Sequence, residues 1–167
     1  VLTLDYRVAP EHPYPAALED AVMAYWWLIE EKKYAPEHIV VAGDSAGGGL
    51  ALALMLFLRD RGLALPAGLI VMSPWADVTC SGASHTFNFH KDPQFGGTTD
   101  NMLHHCPYIG DADPTDPYLS PVFGEYHGFP PVLLQAGGDE VLLSDTLTVA
   151  EKLRKAHGKV RLSVYDG

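Results

Sequence analysis

The sequence has few charged residues, few cations and no long apolar run, and each scarcity excludes a class of protein. Charged residues make up 19% of the 167 positions, and 11 Lys and Arg stand against 21 Asp and Glu, a net charge of −10. An acidic chain repels phosphate backbones and anionic lipid headgroups, so we expect neither nucleic acid nor a membrane as partner. The longest apolar stretch, residues 50–58, is followed by three charged residues and is too short to span a bilayer.

Cysteine is also scarce. Cys80 and Cys106 form no CxxC motif, and the sequence leaves open whether they pair. Two histidines precede Cys106, but a zinc site needs three or four converging ligands, and no second cluster has matching spacing. We therefore expect no metal. No signal peptide is visible and a cytoplasmic location is slightly favoured, but Val1 opens directly onto an apolar run, so we expect the natural N-terminus to lie upstream.

Strand-like and helix-like segments alternate along the chain. Apolar runs predict strands at residues 1–5, 38–42, 69–72, 132–135 and 160–165, and helical spacing predicts helices at 16–33, 45–61, 98–106 and 144–157. This alternation indicates an α/β fold, a mostly parallel sheet with helices on both faces, in one domain over residues 1–167. Residues 77–121 are too long for an ordinary loop, and we interpret them as a cap or lid over a ligand crevice.

Residues 43–47 read Gly-Asp-Ser-Ala-Gly and fit the Gly-x-Ser-x-Gly pattern of a nucleophile elbow between a strand and a helix. The turn is tight, so side chains at Gly43 and Gly47 are expected to collide with backbone. Ser45 then presents its hydroxyl from a strained conformation at a helix N-terminus, which favours negative charge. The N–H of Ala46 becomes an oxyanion-hole donor. No phosphate-loop or dinucleotide pattern accompanies these glycines, and we expect no cofactor.

Four segments together resemble the hormone-sensitive lipase-like esterase family. Residues 6–11 read Tyr-Arg-Val-Ala-Pro-Glu, the elbow carries Asp before its serine, and residues 73–77 and 116–121 are similar to signatures beside the family's cap. The resemblance implies an α/β-hydrolase fold and hydrolysis of short- to medium-chain carboxylic esters without a cofactor. It also implies a partial fold, with the family's His-Gly-Gly-Gly oxyanion loop upstream of Val1 and its catalytic histidine just beyond Gly167.

The triad acid is expected after the strand at 132–135, because ligands bind at the carboxyl ends of parallel strands. The family resemblance favours Glu140, which stands in a Gly-x-x-Glu-Val-Leu pattern, and Asp139 stays open as the alternative. Of the eight histidines only His157 follows Glu140, and its position before Gly158 indicates a helix C-terminus rather than catalysis.

Other polar residues near these motifs are interpreted as structural. Asp44 is expected to bond nearby backbone, Ser144 to be an N-cap, and Asp145 to favour the first turn of a helix. In the segment at residues 6–11, an ion pair between its Arg and its Glu is expected to hold the strand–helix connection. Four aromatic residues are left open between an acyl pocket and a cap core: Trp75, Phe87, Phe89 and Phe95.

The mechanism that these features imply is acyl transfer to water. Ser45 attacks the carbonyl of a small-molecule ester, a histidine takes its proton, and Glu140 orients that histidine. Two alternatives stay open: a small-molecule receptor on a decayed hydrolase fold, and a serine peptidase of related fold. The sequence gives no indication of oligomeric state.

Overall fold

The computed structural model describes residues 1–166 as a parallel four-stranded sheet with helical connections. Its strands pair in chain order and are β1 (Val40–Asp44), β2 (Gly68–Met72), β3 (Val132–Gly137) and β4 (Val160–Tyr165). Its α-helices are α1 (Ala16–Glu30), α2 (Ser45–Asp60), α3 (Ser84–Phe87) and α4 (Leu143–Lys155). Short 3₁₀ turns lie at Pro36–His38 and Pro121–Phe123. The predicted α/β class and parallel sheet are confirmed.

The core lies on one face of the sheet. Side chains alternate along each strand, and Leu69, Val71 and Leu134 point to the face that α2 and α4 cover. α1 packs on the outer side of α2. The opposite face presents Ile70 and Leu133, which are half-buried and belong to none of the apolar clusters. The sequence predicts helices on both faces, and within residues 1–166 they cover one.

Two predicted elements are wrong. Residues 1–5 form no strand, since within the described chain their backbone makes no ladder with β1, and an extended segment without such a neighbour is not a sheet strand. Residues 98–106 form turns rather than a helix; the Asn101 side chain accepts backbone N–H bonds from Leu103 and His104 there. A short helix in this part of the chain is instead α3, which the sequence analysis did not predict.

The strand predicted at 160–165 is present with the predicted bounds, and the other predicted elements are present with one or both ends shifted. β1 begins two residues later than predicted, because Pro36–His38 forms a 3₁₀ turn. α2 ends at Asp60, one residue earlier than predicted, and the expected Gly62 follows with a φ of 64° that suits glycine. At the end of α4 the left-handed residue is His157, with φ 58°, and the Gly158 N–H bonds back to Leu153. The helix-end role of His157 is thus present, but His157 rather than Gly158 takes the left-handed conformation.

The connection from β2 to β3 is long and packs against the loop after β3. An apolar cluster joins Trp75, Val78 and Leu119 of the connection to Val141 and Leu142 of that loop. The connection therefore lies where the carboxyl ends of the strands open, which is the edge where parallel sheets bind ligands. Within the described chain, no helix has the length and apolarity needed to cross a membrane.

Candidate active site

Ser45 stands at the junction between β1 and α2. β1 ends at Asp44, α2 begins at Ser45, and the serine has a φ of 49°, a left-handed conformation that side chains rarely adopt. The residue is half-buried, and its carbonyl accepts a hydrogen bond of 2.9 Å from the Trp75 N–H. The strained, accessible placement expected of an elbow serine is present, and the chemical role of Ser45 stays a prediction.

The glycines around the elbow have unequal steric roles. A Cβ on Gly43 would lie 2.9 Å from the Gly48 nitrogen and closer still to the Gly47 carbonyl, so no larger residue fits there. Apart from its chain neighbours and the nearby backbone of α2, a Cβ on Gly47 would meet nothing within 4 Å in the described residues, so no collision like that at Gly43 is found there. The close approach that the sequence analysis missed is at Gly49, where a Cβ would press on the Trp75 carbonyl. Residue 49 is one helical turn beyond Ser45, where α2 passes over the chain that leaves β2.

Ala46 is exposed as the second residue of α2. Its N–H belongs to the first turn and has no carbonyl partner inside the helix, which leaves it free to bind an anion. Asp44 is also exposed, and no side-chain cap bond to α2 is present. The expectation that Asp44 bonds nearby backbone is therefore wrong; its carboxylate faces solvent at the sheet edge.

Glu140 is held at the end of β3 by two donors. The Ser73 hydroxyl and the Gly137 N–H each donate to Oε1 over 2.9 Å. The other oxygen, Oε2, is buried and has no hydrogen-bond partner in the described residues. Buried polar atoms are nearly always paired. Oε2 is therefore an exception, an acceptor without a donor among the described residues.

Asp139, the alternative acid, is placed differently. Its side chain is 42% exposed and lies 3.3 Å from the Lys91 ammonium at the surface. An exposed carboxylate paired with a lysine is screened by solvent and is poorly suited to orient a second group. The geometry therefore favours Glu140 over Asp139 as the candidate acid.

An apolar cavity of about 200 Å³ lies beside the elbow. Among the residues that line it are Ala46, Gly49, Trp75, Met102, Tyr108 and Leu119. Of the four aromatics left open by the sequence, Trp75 lines the cavity, Phe95 packs in the apolar cluster of the β2–β3 connection, and Phe87 is 54% exposed. Phe89 is half-buried and stacks edge-on against His90. Only Trp75 of the four is thus a pocket residue.

The N-terminal segment contributes more to this cavity than the sequence indicates. The lining includes Tyr6, Arg7, Val8 and Ala9, whereas the sequence indicates only a structural role for this segment. The expected Arg–Glu pair within residues 6–11 is wrong: the Arg7 guanidinium instead contacts two carboxylates of α1, Asp20 at 2.8 Å and Glu19 at 3.0 Å. Hydrogen bonds from Arg7 lower the pKa of Asp20. These contacts tie the cavity wall to α1.

A buried carboxylate lies behind the site. Asp145 is 1% exposed, and its Oδ2 accepts 2.9 Å hydrogen bonds from the N–H groups of Ala76 and Asp77. Burial raises the pKa of Asp145 to about 8 and lowers the pKa of His85, whose Nε2 lies 3.9 Å from Oδ1. Asp145 is in the first turn of α4 as predicted, but Ser144 is not an N-cap: α4 begins at Leu143, and the Ser144 hydroxyl accepts the Ser84 N–H.

Within residues 1–166 no group of three potential metal ligands converges. Of the two histidines before Cys106, His104 has its Nδ1 3.1 Å from Asn101 Oδ1, and His105 has its Nε2 3.7 Å from Asp100 Oδ1. Cys80 and Cys106 are both free thiols, and burial raises the pKa of each, which disfavours the thiolate.

The chain is similar to known proteins along its whole length. The family model described as alpha/beta hydrolase fold matches residues 1–167. The chain belongs to the alpha/beta hydrolase family. The predicted resemblance to hormone-sensitive lipase-like esterases is also confirmed, because an esterase from the bacterial hormone-sensitive lipase family superposes with a TM-score of 0.91 at 40% identity. That match covers 97% of this chain and 54% of the solved one.

Two further relatives are similar over nearly the whole chain. An acetyl-hydrolase of Streptomyces hygroscopicus is 44% identical over 156 residues, which is 93% of this hydrolase chain and 52% of the relative. A solved protein named EstE5, soaked with p-nitrophenyl butyrate, is 44% identical with a TM-score of 0.89, and the match covers 97% of this chain and 54% of that one. The chain thus spans about half the length of the relatives it matches.

Proposed function

We propose that the natural protein carrying this chain hydrolyses carboxylic esters through an acyl-enzyme on Ser45. The observation that carries the proposal is the left-handed Ser45 at the start of α2, half-exposed beside an apolar cavity. A strained serine held at such a junction is the arrangement from which hydrolases attack a carbonyl. Relatives named esterase and acetyl-hydrolase support the same reaction class.

In the proposed mechanism Ser45 Oγ attacks the ester carbonyl and a histidine accepts its proton. The new negative charge on the carbonyl oxygen lies near the N–H of Ala46, where the start of α2 stabilises it. The histidine then protonates the departing alcohol, and water releases the acid by the reverse sequence. We place this histidine in the part of the natural protein outside this chain, with its second nitrogen bonded to the unpartnered Glu140 Oε2.

The cavity supports a short- to medium-chain acyl group as substrate. A volume of about 200 Å³ holds a chain of a few carbons, and its walls are largely apolar side chains. Residues 77–121, the proposed cap, supply Met102, Tyr108 and Leu119 to the lining of the cavity, which also includes Ala46. The butyrate ester with which the 44%-identical EstE5 was soaked falls in the same range of acyl length.

The test uses the full-length gene product with p-nitrophenyl esters. Wild type is expected to hydrolyse them, and Ser45→Ala to lose about 10⁴-fold or more in kcat, because the acyl acceptor is gone. A fluorophosphonate should add one adduct to the wild type, on Ser45 by peptide mass mapping, and none to Ser45→Ala.

A matched control is Ser163→Ala, a half-buried serine in the body of β4. It should keep the wild-type rate and the label. A wild-type protein that binds esters without turnover would contradict the proposal and favour a receptor, and faster cleavage of peptide amides than of esters would favour a peptidase.

A further inference from the structure

We propose that Ser73 and Asn88 are positioning residues for Glu140, an inference that rests on the proposed role of Glu140 as triad acid. Neither residue is expected to touch the substrate. Ser73 holds the carboxylate, and Asn88 holds the backbone turn that carries it. Together they determine where the free oxygen of Glu140 is presented.

Ser73 locks the carboxylate from the end of β2. Its N–H donates to the Gln135 carbonyl over 2.7 Å, which ties the residue to β3, and its φ is 42°. From this position its hydroxyl donates to Glu140 Oε1 over 2.9 Å, alongside the Gly137 N–H at the same distance. Two donors on one oxygen prevent the carboxylate from rotating and leave Oε2 as the available acceptor.

Asn88 holds the backbone of the turn that carries Glu140. Its side chain is fully buried, and its Nδ2 donates to the carbonyls of Gly138 at 2.9 Å and Glu140 at 2.8 Å. One amide group thus bridges the two ends of the turn that contains Glu140. Residues 138–140 lie between β3 and α4 and form no regular element, and the bonds from Asn88 add to the backbone bond from the Gly138 N–H to the Tyr165 carbonyl.

Neighbouring residues of the same segment strengthen this hold. Asp92 Oδ2 accepts the Val141 N–H over 2.8 Å, and the Ser84 hydroxyl donates to the Val141 carbonyl. All these side chains come from residues 84–92 and are buried. A segment that bonds the backbone of residues 138–141 at several points restrains the acid more strongly than packing alone, because hydrogen bonds are directional.

A positioning role has kinetic consequences that a purely structural role lacks. The acid in such a triad orients the histidine and stabilises its cation, and a displacement of about 1 Å costs on the order of 100-fold in rate. Because Glu140 does not bind the substrate, the loss should fall on kcat and leave KM almost unchanged. The loss of kcat on substituting a positioning residue should also disappear in a variant whose Glu140 is replaced.

The primary test compares Ser73→Ala and Ser73→Gly in the full-length gene product. Both remove the hydroxyl and its bond to Glu140, and glycine also relieves the left-handed backbone, so Ser73→Gly should be more stable than Ser73→Ala. We expect kcat on p-nitrophenyl butyrate to fall about tenfold to 100-fold in both variants, with KM within about twofold. In a Glu140→Gln background the same substitutions should change kcat by less than about twofold, since coupled residues are non-additive.

The matched control for Ser73 is Ser81→Ala. Ser81 also donates its hydroxyl to a carboxylate, Asp77 Oδ2 at 2.6 Å, but that carboxylate has no proposed catalytic role. Its kcat is expected to stay within about twofold of wild type. For Asn88→Ala the control is Asn101→Ala, whose amide likewise bridges two carbonyls, those of Phe95 and Thr98.

The outcomes separate this inference from the function on which it rests. Asn88→Ala should lower kcat and Asn101→Ala should not, whatever either does to the melting temperature. An active wild type whose Ser73→Gly variant keeps the wild-type kcat overturns the role of Ser73 alone. If substituting Ser73 lowers kcat as much in the Glu140→Gln background as in the wild type, the role of Ser73 is also overturned. A folded wild type without esterase activity overturns the proposed function and this inference with it.

Discussion

Replacing Gly49 with alanine is expected to destabilise the protein, whereas the same substitution at Gly47 is expected to leave stability unchanged or raise it. Both residues lie in α2, two positions apart. A Cβ on Gly49 would lie well under 3.0 Å from the Trp75 carbonyl oxygen and 3.1 Å from its carbon, and both atoms are backbone. Apart from its chain neighbours and the nearby backbone of α2, a Cβ on Gly47 would meet nothing within 4 Å in the described residues.

The magnitude follows from two opposing contributions to the free energy of unfolding. Alanine is more favourable than glycine inside a helix by about 1 kcal/mol, and both variants gain up to this amount. At Gly49 the added methyl group must also push α2 away from Trp75, and forced overpacking typically costs about 1–3 kcal/mol. Because the obstacle is backbone rather than a flexible side chain, we place the cost near 3 kcal/mol, which leaves a net loss of about 2 kcal/mol.

Calorimetry or chemical denaturation of the two variants decides the question. At about 2–4 °C per kcal/mol, Gly49→Ala should lower the melting temperature by roughly 4–8 °C, and Gly47→Ala should raise it by up to about 4 °C. The difference in stability between the wild type and Gly47→Ala measures the effect of helix propensity without the contact to Trp75. A stabilised Gly49→Ala variant would refute the steric reasoning. Equal destabilisation by both substitutions would also refute it, and would indicate that Gly47 is as sterically constrained as the elbow pattern predicts.

Three further predictions concern the site and its surroundings. Glu140→Gln should lower kcat by about 10⁴-fold and Asp139→Asn by less than about threefold in the same esterase assay, and the reverse order would identify Asp139 as the acid. The pKa of Asp145 is raised from 3.8 to about 8, so its contribution to stability is present below pH 3.8 and lost as the pH rises through 8. The wild type should therefore lose stability relative to Asp145→Asn between these pH values in urea titrations, and a pH-independent difference would contradict this. Cys106→Phe, which fills the cavity, should slow hydrolysis of octanoate esters more than of acetate esters, and equal slowing would exclude the cavity as the acyl site.

Regular elements of the sheet are predictable from the sequence because their signals are local. The apolar runs at β2, β3 and β4 and the helical spacing of α2 and α4 each determine an element without reference to the rest of the chain. Residues 1–5 carry the same apolar signal and form no strand, since a strand also needs a partner whose presence the run itself does not encode. The start of β1 moved because residues 36–38 form a 3₁₀ turn that begins with proline.

The site is predictable to the extent that it is encoded in a contiguous motif. Residues 43–47 alone indicate the position and strain of Ser45. The contacts of Arg7 with α1 and the contribution of its segment to the cavity wall depend on tertiary placement, and nothing in its sequence spacing distinguishes Asp20 from a nearer carboxylate. Likewise Asn88, in a segment without regular signal, gives no indication that it bonds residues 138 and 140.

Two left-handed serines lie at the ends of neighbouring strands, and their placement explains how the site is assembled. Asp44 and Met72 are register partners at the ends of β1 and β2, and each is followed by a serine in the left-handed region, Ser45 with φ 49° and Ser73 with φ 42°. Left-handed backbone is unfavourable for a serine and persists only where surrounding contacts enforce it. The Trp75 N–H bond to the Ser45 carbonyl supplies such a contact, and it requires the close approach that Gly49 allows. The nucleophile candidate and the residue that holds the acid candidate therefore depend on the same packing of α2 against the chain leaving β2, so a change at Gly49 should disturb both.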